Sequence, residues 1–214
     1  EEAVFEYEQT PAQIFSAPKS QAFMVDEHTD LAQVLNTYIL YPTESSFLLI
    51  NQQAAHERVL YEQMTGAVNG SPIATQSNMF PPTLELSPAD SVLLTELLPY
   101  FKILGFLIEP FGNNTFVIQG TPADLESGNE KQIIDFTIEQ YKHFNADIKI
   151  SDREKLIRSL ARQRAIKTGT RLTEREMRQL LSDLFLCRPF NTAPDGNPTY
   201  LEFKQEQIER MFGK

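Results

Sequence analysis

The sequence predicts an α/β (α+β) fold, and three stretches of it carry that prediction. A continuous apolar run, Phe47–Ile50, ends in three amides and passes straight into helical periodicity. In the middle of the chain Gly112-Asn113-Asn114 joins two strand-like segments as a hairpin turn. In the last third, apolar residues recur at i, i+3, i+4 and i+7, the spacing of packed helices. A chain of 214 residues is long enough for one large domain or two small ones with ample core.

Residues 1–20 are acidic, then rich in Pro, Gln, Ser and Ala, with no period, and read as linker. Gln33–Tyr41 is rich in β-branched and aromatic residues and reads as a strand; Pro42–Ser45 supplies the turn. Phe47–Ile50 returns as a strand with the look of burial on both faces. The helix after it carries Ala55, Val59, Leu60 and Met64 inward and stops before Gly66. Glycine and proline mark residues 66–82 as loop. Thr83–Leu86 is a short strand, and Ser87-Pro88-Ala89-Asp90 opens a helix with an apolar face of Val92, Leu93, Leu97 and Leu98 and a kink at Pro99. Gly105–Phe111 and Thr115–Gln119 flank the hairpin turn, and Glu130–Phe144 is a helix with Ile133, Ile134, Ile138 and Tyr141 inward. From Ser151 a basic helix buries Leu156, Ile157, Leu160, Ala161 and Ala165 and ends at Gly169. Thr173–Glu176 is a capping box, followed by the stripe Met177, Leu180, Leu181 and Leu184. A turn-rich loop (Asn191–Pro198), a short strand (Thr199–Phe203) and an amphipathic helix (Glu206–Phe212) complete the chain.

The net charge of −10 is uneven. Ser151–Arg178 carries +5, the remainder −15. The basic stretch reads either as the solvated face of a helix pair or as a contact for DNA phosphates through Arg153, Arg158, Arg162, Arg164 and Lys167. One cysteine, Cys187, excludes an internal disulfide and points to a reducing compartment. No apolar run is long enough to span a membrane, and no signal peptide is apparent. The first residue, Glu1, suggests a piece cut from a longer protein.

The run Asn51-Gln52-Gln53-Ala54-Ala55-His56-Glu57-Arg58-Val59-Leu60-Tyr61-Glu62 resembles the Asp-Gln-His-Ala-x-x-Glu-x-x-x-x-Glu signature of the MutL mismatch-repair family. In that family the signature serves a metal-dependent endonuclease. Here Asn51 stands at the Asp position and Gln53 at the His position, while Glu57 and Glu62 remain. The family's Ala-Cys-Arg is matched by Ala161-Arg162-Gln163, and its Cys-Pro-His-Gly-Arg-Pro by Ala193-Pro194-Asp195-Gly196-Asn197-Pro198. The Pro-x-Gly-x-Pro frame is kept, but the Cys and His positions hold Ala193 and Asp195. Neutral amide oxygens lack the charge that draws a divalent cation, so neither a metal nor another cofactor is expected. Glu57 then reads as a surface salt bridge with Arg58 or Arg162. The alternative is a metal-dependent DNA nicking endonuclease with a rearranged, oxygen-only site of Glu57, Asp195 and Glu202.

Gln76-Ser77-Asn78-Met79-Phe80-Pro81 resembles the Gln-x-x-hydrophobic-x-Pro peptide by which the family docks onto the replicative sliding clamp, with Gln76, Met79, Phe80 and Pro81 as the contacts. The alternative reading is that Met79 and Phe80 simply pack the loop onto the domain. The resemblance implies a two-lobed homodimer: a dimerisation lobe of 21–75 plus 152–214, an inserted regulatory lobe of 76–151, and a linker tail of 1–20. It implies a non-catalytic dimerisation module, not an enzyme, joining two N-terminal ATP-binding ATPase arms into a clamp around DNA. MutS would be a partner, in the cytoplasm of a bacterium, acting at the nucleoid.

Overall fold

The computed structural model describes residues 25, 28–70, 72–125, 128–144 and 150–213, so the expected linker at 1–20 lies outside the described residues. Its first sheet is antiparallel, in the order β1-β2-β3-β8: β1 is Ala32–Val34, β2 Tyr38–Pro42, β3 Ser46–Asn51 and β8 Tyr200–Lys204. What reads in sequence as one strand from Gln33 to Tyr41 is two. Leu35 and Asn36 turn the chain at φ 55° and 47°, closed by the Thr37 amide donating to the Val34 carbonyl. Expected burial of β3 on both faces is corrected too. Leu48 and Ile50 are buried, whereas Phe47 and Leu49 are half-buried on the outer face. An antiparallel sheet alternates in this way when helices cover one side only.

Helix α1 (Gln52–Asn69) leaves β3 with no loop, because Asn51 is both the last strand residue and the N-cap. It runs straight through Gly66, beyond the expected stop. Beyond it, β4 (Thr75–Ser77) lies where only loop was expected. Strands β4 and β5 (Thr83–Glu85) pair along one edge of β7 (Thr115–Pro122), and β6 (Leu107–Gly112) along the other. Helix α2 (Pro88–Ile103) continues through Pro99 and buries Leu94, Leu97 and Phe101; Val92, expected inside, is 62% exposed. Helix α3 (Glu130–Lys142) follows.

Helix α4 (Asp152–Arg164) stops five residues before Gly169, with the Lys167 ammonium donating to the Arg162 and Gln163 carbonyls left open at its end. Helix α5 (Glu174–Leu186) starts with the complete Thr173–Glu176 capping box, and α6 (Gln205–Met211) extends β8 with no buried residue of its own.

Two apolar cores result. One holds Ile39, Leu48, Ile50, Ala55 and Val59 under α5; the other holds Leu60, Met64 and Ala67 with β5–β7, α2 and α3. The buried face of α4, from Leu156 to Ala165, joins the second core, although the expected boundary at residue 152 would group it with the first sheet. Helix α1 serves both cores from successive turns.

Candidate functional site

The strand-to-helix junction at β3–α1 positions every residue of the signature. Asn51 Oδ1 accepts the Gln53 and Ala54 amides, both at 3.0 Å, so this side chain is spent as a helix cap. Gln53 Oε1 accepts the Thr168 hydroxyl at 3.0 Å. Between them Gln52 is fully buried. Its Nε2 donates to the carbonyls of Asn36 (2.9 Å), Thr170 (3.0 Å) and Lys167 (3.2 Å), and its Oε1 accepts Gln33 Nε2 at 2.7 Å. Gln33 in turn donates to Thr170 O and accepts the Leu172 amide. These two amides sew the β1–β2 turn to the 167–172 loop. Sequence reasoning missed Gln52, although it lies three residues before Ala55 and seven before Val59, on the inward helical face.

One turn on, Glu57 is buried and makes no salt bridge with Arg58, which pairs instead with Glu62 at 2.6 Å and with the Arg188 carbonyl. The expected surface ion pair is therefore absent. Glu57 faces a cleft of about 140 Å³ between α1, α3, α4 and the 191–198 loop, lined also by Gln140, His143, Arg158, Arg162 and Asp195. Burial pushes its carboxyl up to about 7, helped by the Asp195 charge and opposed by Arg162 and Lys167. His56 points elsewhere: its Nδ1 accepts the Ile166 amide at 3.0 Å, and burial together with the Arg164 charge lowers it to about 4.

The Pro-x-Gly-x-Pro turn closes as its sequence predicts. Ala193 donates to and accepts from the turn backbone, and Gly196 sits at φ 91°. Asp195 is consumed locally, its two oxygens accepting the amide and side chain of Asn197. Glu202 sits in the middle of β8 and accepts the Ser46 hydroxyl at 2.9 Å. Glu57, Asp195 and Glu202 thus do not form the oxygen-only site, and among the described residues no three His, Cys, Asp or Glu side chains are grouped to hold a metal ion. A divalent cation does not fit here: the amides are engaged, Ala193 has no donor, and the buried carboxyl faces guanidinium groups.

Outside this cleft, Met79 and Phe80 are each 89% exposed, so they do not pack the loop onto the domain, the alternative to a docking role. Of the basic residues, Arg164 is withdrawn from any DNA contact, its side chain 6% exposed and held by Asp124 at 2.8 Å. Arg158 is tied to Glu154, while Arg153 and Arg162 are exposed.

Residues 31–172 match the family model described as the MutL C terminal dimerisation domain. The chain belongs to that family. Curated MutL relatives include the DNA mismatch repair protein MutL of Chlorobaculum parvum, 32% identical over 88% of this chain and 30% of its own length. Those of Chlorobium phaeobacteroides and Chlorobaculum tepidum are each 34% identical over 85% of this chain and 29% of their own length. The chain thus spans about 30% of the length of the MutL relatives it matches. The MutL family supplies a place for the β3–α1 junction, and the nicking-endonuclease alternative gains no support from it. No helix among the described residues is long and apolar enough to cross a membrane.

Proposed function

We propose that this chain is the non-catalytic homodimerising module of a MutL protein and that the outer face of its first sheet is the surface that pairs. The observation that carries this is a row of apolar side chains across three strands. Leu40, Leu49 and Leu201 are cross-strand partners and only half-buried, and beside them Phe47 stacks on Phe203 with centroids 5.0 Å apart. Val34 and Pro42 extend the face into solvent. A stable pair needs about 800 Å² buried per partner, and a four-stranded face can supply it. The division of labour follows the family's two lobes, with 76–151 as the regulatory insertion. In the longer proteins of the family the paired modules would join two ATPase arms into a ring around DNA. MutS would recruit them in the bacterial cytoplasm, and Arg153 and Arg162 would supply phosphate contacts.

Sedimentation tests the pairing. The parent chain is expected to be a dimer at micromolar concentration and Leu49→Lys a folded monomer by circular dichroism. A monomeric parent sinks the reading, and a dimeric Leu49→Lys sinks the assigned surface. Calorimetric titration with Mn2+ and Zn2+ should give no heat; binding abolished by Glu57→Ala would restore the nuclease alternative.

The same module docks the sliding clamp through Gln76, Met79, Phe80 and Pro81. Two large apolar side chains standing 89% exposed side by side support this, since such a pair has no folding advantage in water. Gln76→Ala combined with Phe80→Ala should abolish binding to purified clamp; unchanged affinity would remove the clamp from the list of partners.

A further inference from the structure

We propose that the clamp-docking peptide is a rigid finger, set in its binding posture before any partner arrives, and that Asn78 is the residue that sets it. The proposal rests on the clamp reading above and adds the means by which affinity is obtained. Both ends of the finger are tied to one residue of the second sheet. Asn78 Nδ2 donates to the Ile118 carbonyl at 2.9 Å, and the Ile118 amide donates to the Pro82 carbonyl at 2.9 Å. Ile118 is fully buried in β7, so the anchor point does not move with solvent. The Asn78 backbone amide adds a third tie, to the Gln119 carbonyl at 2.8 Å. Met79, Phe80 and Pro81 are left spanning the gap, exposed, and consecutive prolines at 81 and 82 remove two more backbone freedoms.

The approach to the finger is fixed as well. Gln76 lies in β4 opposite Thr121, and its Nε2 donates to the Leu125 carbonyl at 3.0 Å. That leaves its Oε1 and second N–H for a partner. Strand β4 can lie this close to β7 only because residue 120 is glycine: a Cβ there would stand 2.7 Å from Thr75 Cγ2 and 2.9 Å from the Gln76 carbonyl oxygen. Gly120 and Asn78 together hold the glutamine and the apolar pair in one frame. A free peptide of the same sequence must lose that conformational freedom on binding; the folded chain has already lost it. Asn78 is a positioning residue, acting through Met79 and Phe80.

The experiment is calorimetric titration of purified sliding clamp with four species: the parent chain, a synthetic peptide of residues 74–82, Asn78→Ala and Phe80→Ala. The parent is expected to bind about tenfold or more tightly than the peptide. Asn78→Ala, which cuts one of the three ties, should bind more weakly than the parent and more tightly than the peptide, with binding enthalpy kept and the loss in the entropy, a split that a direct contact would not give. Phe80→Ala should abolish binding. Gly120→Ala, which displaces β4 while leaving Asn78 intact, should weaken binding in the same entropic manner, and guards against a folding defect in the Asn78 variant. If Phe80→Ala abolishes binding while Asn78→Ala and Gly120→Ala bind like the parent, the rigid finger is wrong and the clamp reading survives. If Phe80→Ala binds like the parent, both fail.

Discussion

At the scale of single residues, Gln52 and Glu57 show two ways in which a polar side chain is buried at one strand-to-helix junction. Gln52 ties together three carbonyls from two segments far apart in sequence, each of which also accepts one other donor: the Gly169 amide at Asn36, the Thr170 amide at Lys167 and Gln33 Nε2 at Thr170. Replacing it with alanine removes these cross-links together with the acceptor of Gln33 Nε2, and leaves space where a fully buried side chain stood. Gln52→Ala should lower stability by about 2–3 kcal/mol in urea unfolding, and a loss below about 1 kcal/mol would count against the network. Glu57 and His56, neighbours in sequence, respond to pH in opposite directions. The Glu57 carboxyl titrates at about 7 when folded against 4.5 ordinarily. Its contribution to stability is therefore full below pH 4.5 and lost as pH rises through 7. His56 titrates at about 4 against 6.5. Its contribution is present above pH 6.5 and lost as pH falls through 4. Between pH 4.5 and 6.5 the two slopes offset. In Glu57→Gln only the histidine slope remains of the two, so the free energy of unfolding from urea titration should fall with acidification by on the order of 1 kcal/mol per pH unit, where the parent curve is flatter. Parallel curves would show that Glu57 is not held in its neutral form.

At the scale of elements, α1 is the piece the sequence describes least well at its end and best at its start. A glycine in a run of helix formers reads as a stop, yet Gly66 is exposed, has ordinary helical backbone, and a Cβ there would meet nothing within 4 Å. Gly66→Ala should raise the thermal midpoint, by about 0.5–1 kcal/mol of stability; a decrease would mean the helix breaks there in solution. The capping box of α5, the hairpin turn at Gly112 and the turn around Gly196 were legible because each is fixed by residues within four positions of one another. The two-strand break at Leu35-Asn36 was not, since leucine rarely adopts a positive φ and only tertiary pairing holds it there. Likewise the inner and outer faces of β3 could not be separated in an all-apolar run. The destination of α4 depended on which core its one stripe met. At the site, sequence singled out Asn51 and Gln53 but not what they bond to, and it passed over Gln52: Asn51 as a cap and Gln52 as a staple emerge only from the folded junction.

At the scale of the whole molecule, two sheets and two cores share α1 as a common spine, and the outward surfaces they leave are different in kind. The first sheet offers a broad apolar face; the second offers two side chains on a finger. Pairing with a copy and docking to a partner can therefore be varied separately: Leu49→Lys should leave clamp affinity per chain unchanged, and Phe80→Ala should leave sedimentation unchanged. Interference in either direction would mean the surfaces are linked through α1. The first sheet has one further property. Leu49, in its centre, is paired with Leu201, a residue far along the chain, so the face is complete only when that long-range pairing has formed. Two copies cannot present finished faces to each other until β8 has closed on β3, which delays pairing until each copy has settled its own fold. A chain broken off before Tyr200 would keep β3 as an open, apolar edge, and is expected to appear in pellets after centrifugation, while the full chain stays in the supernatant.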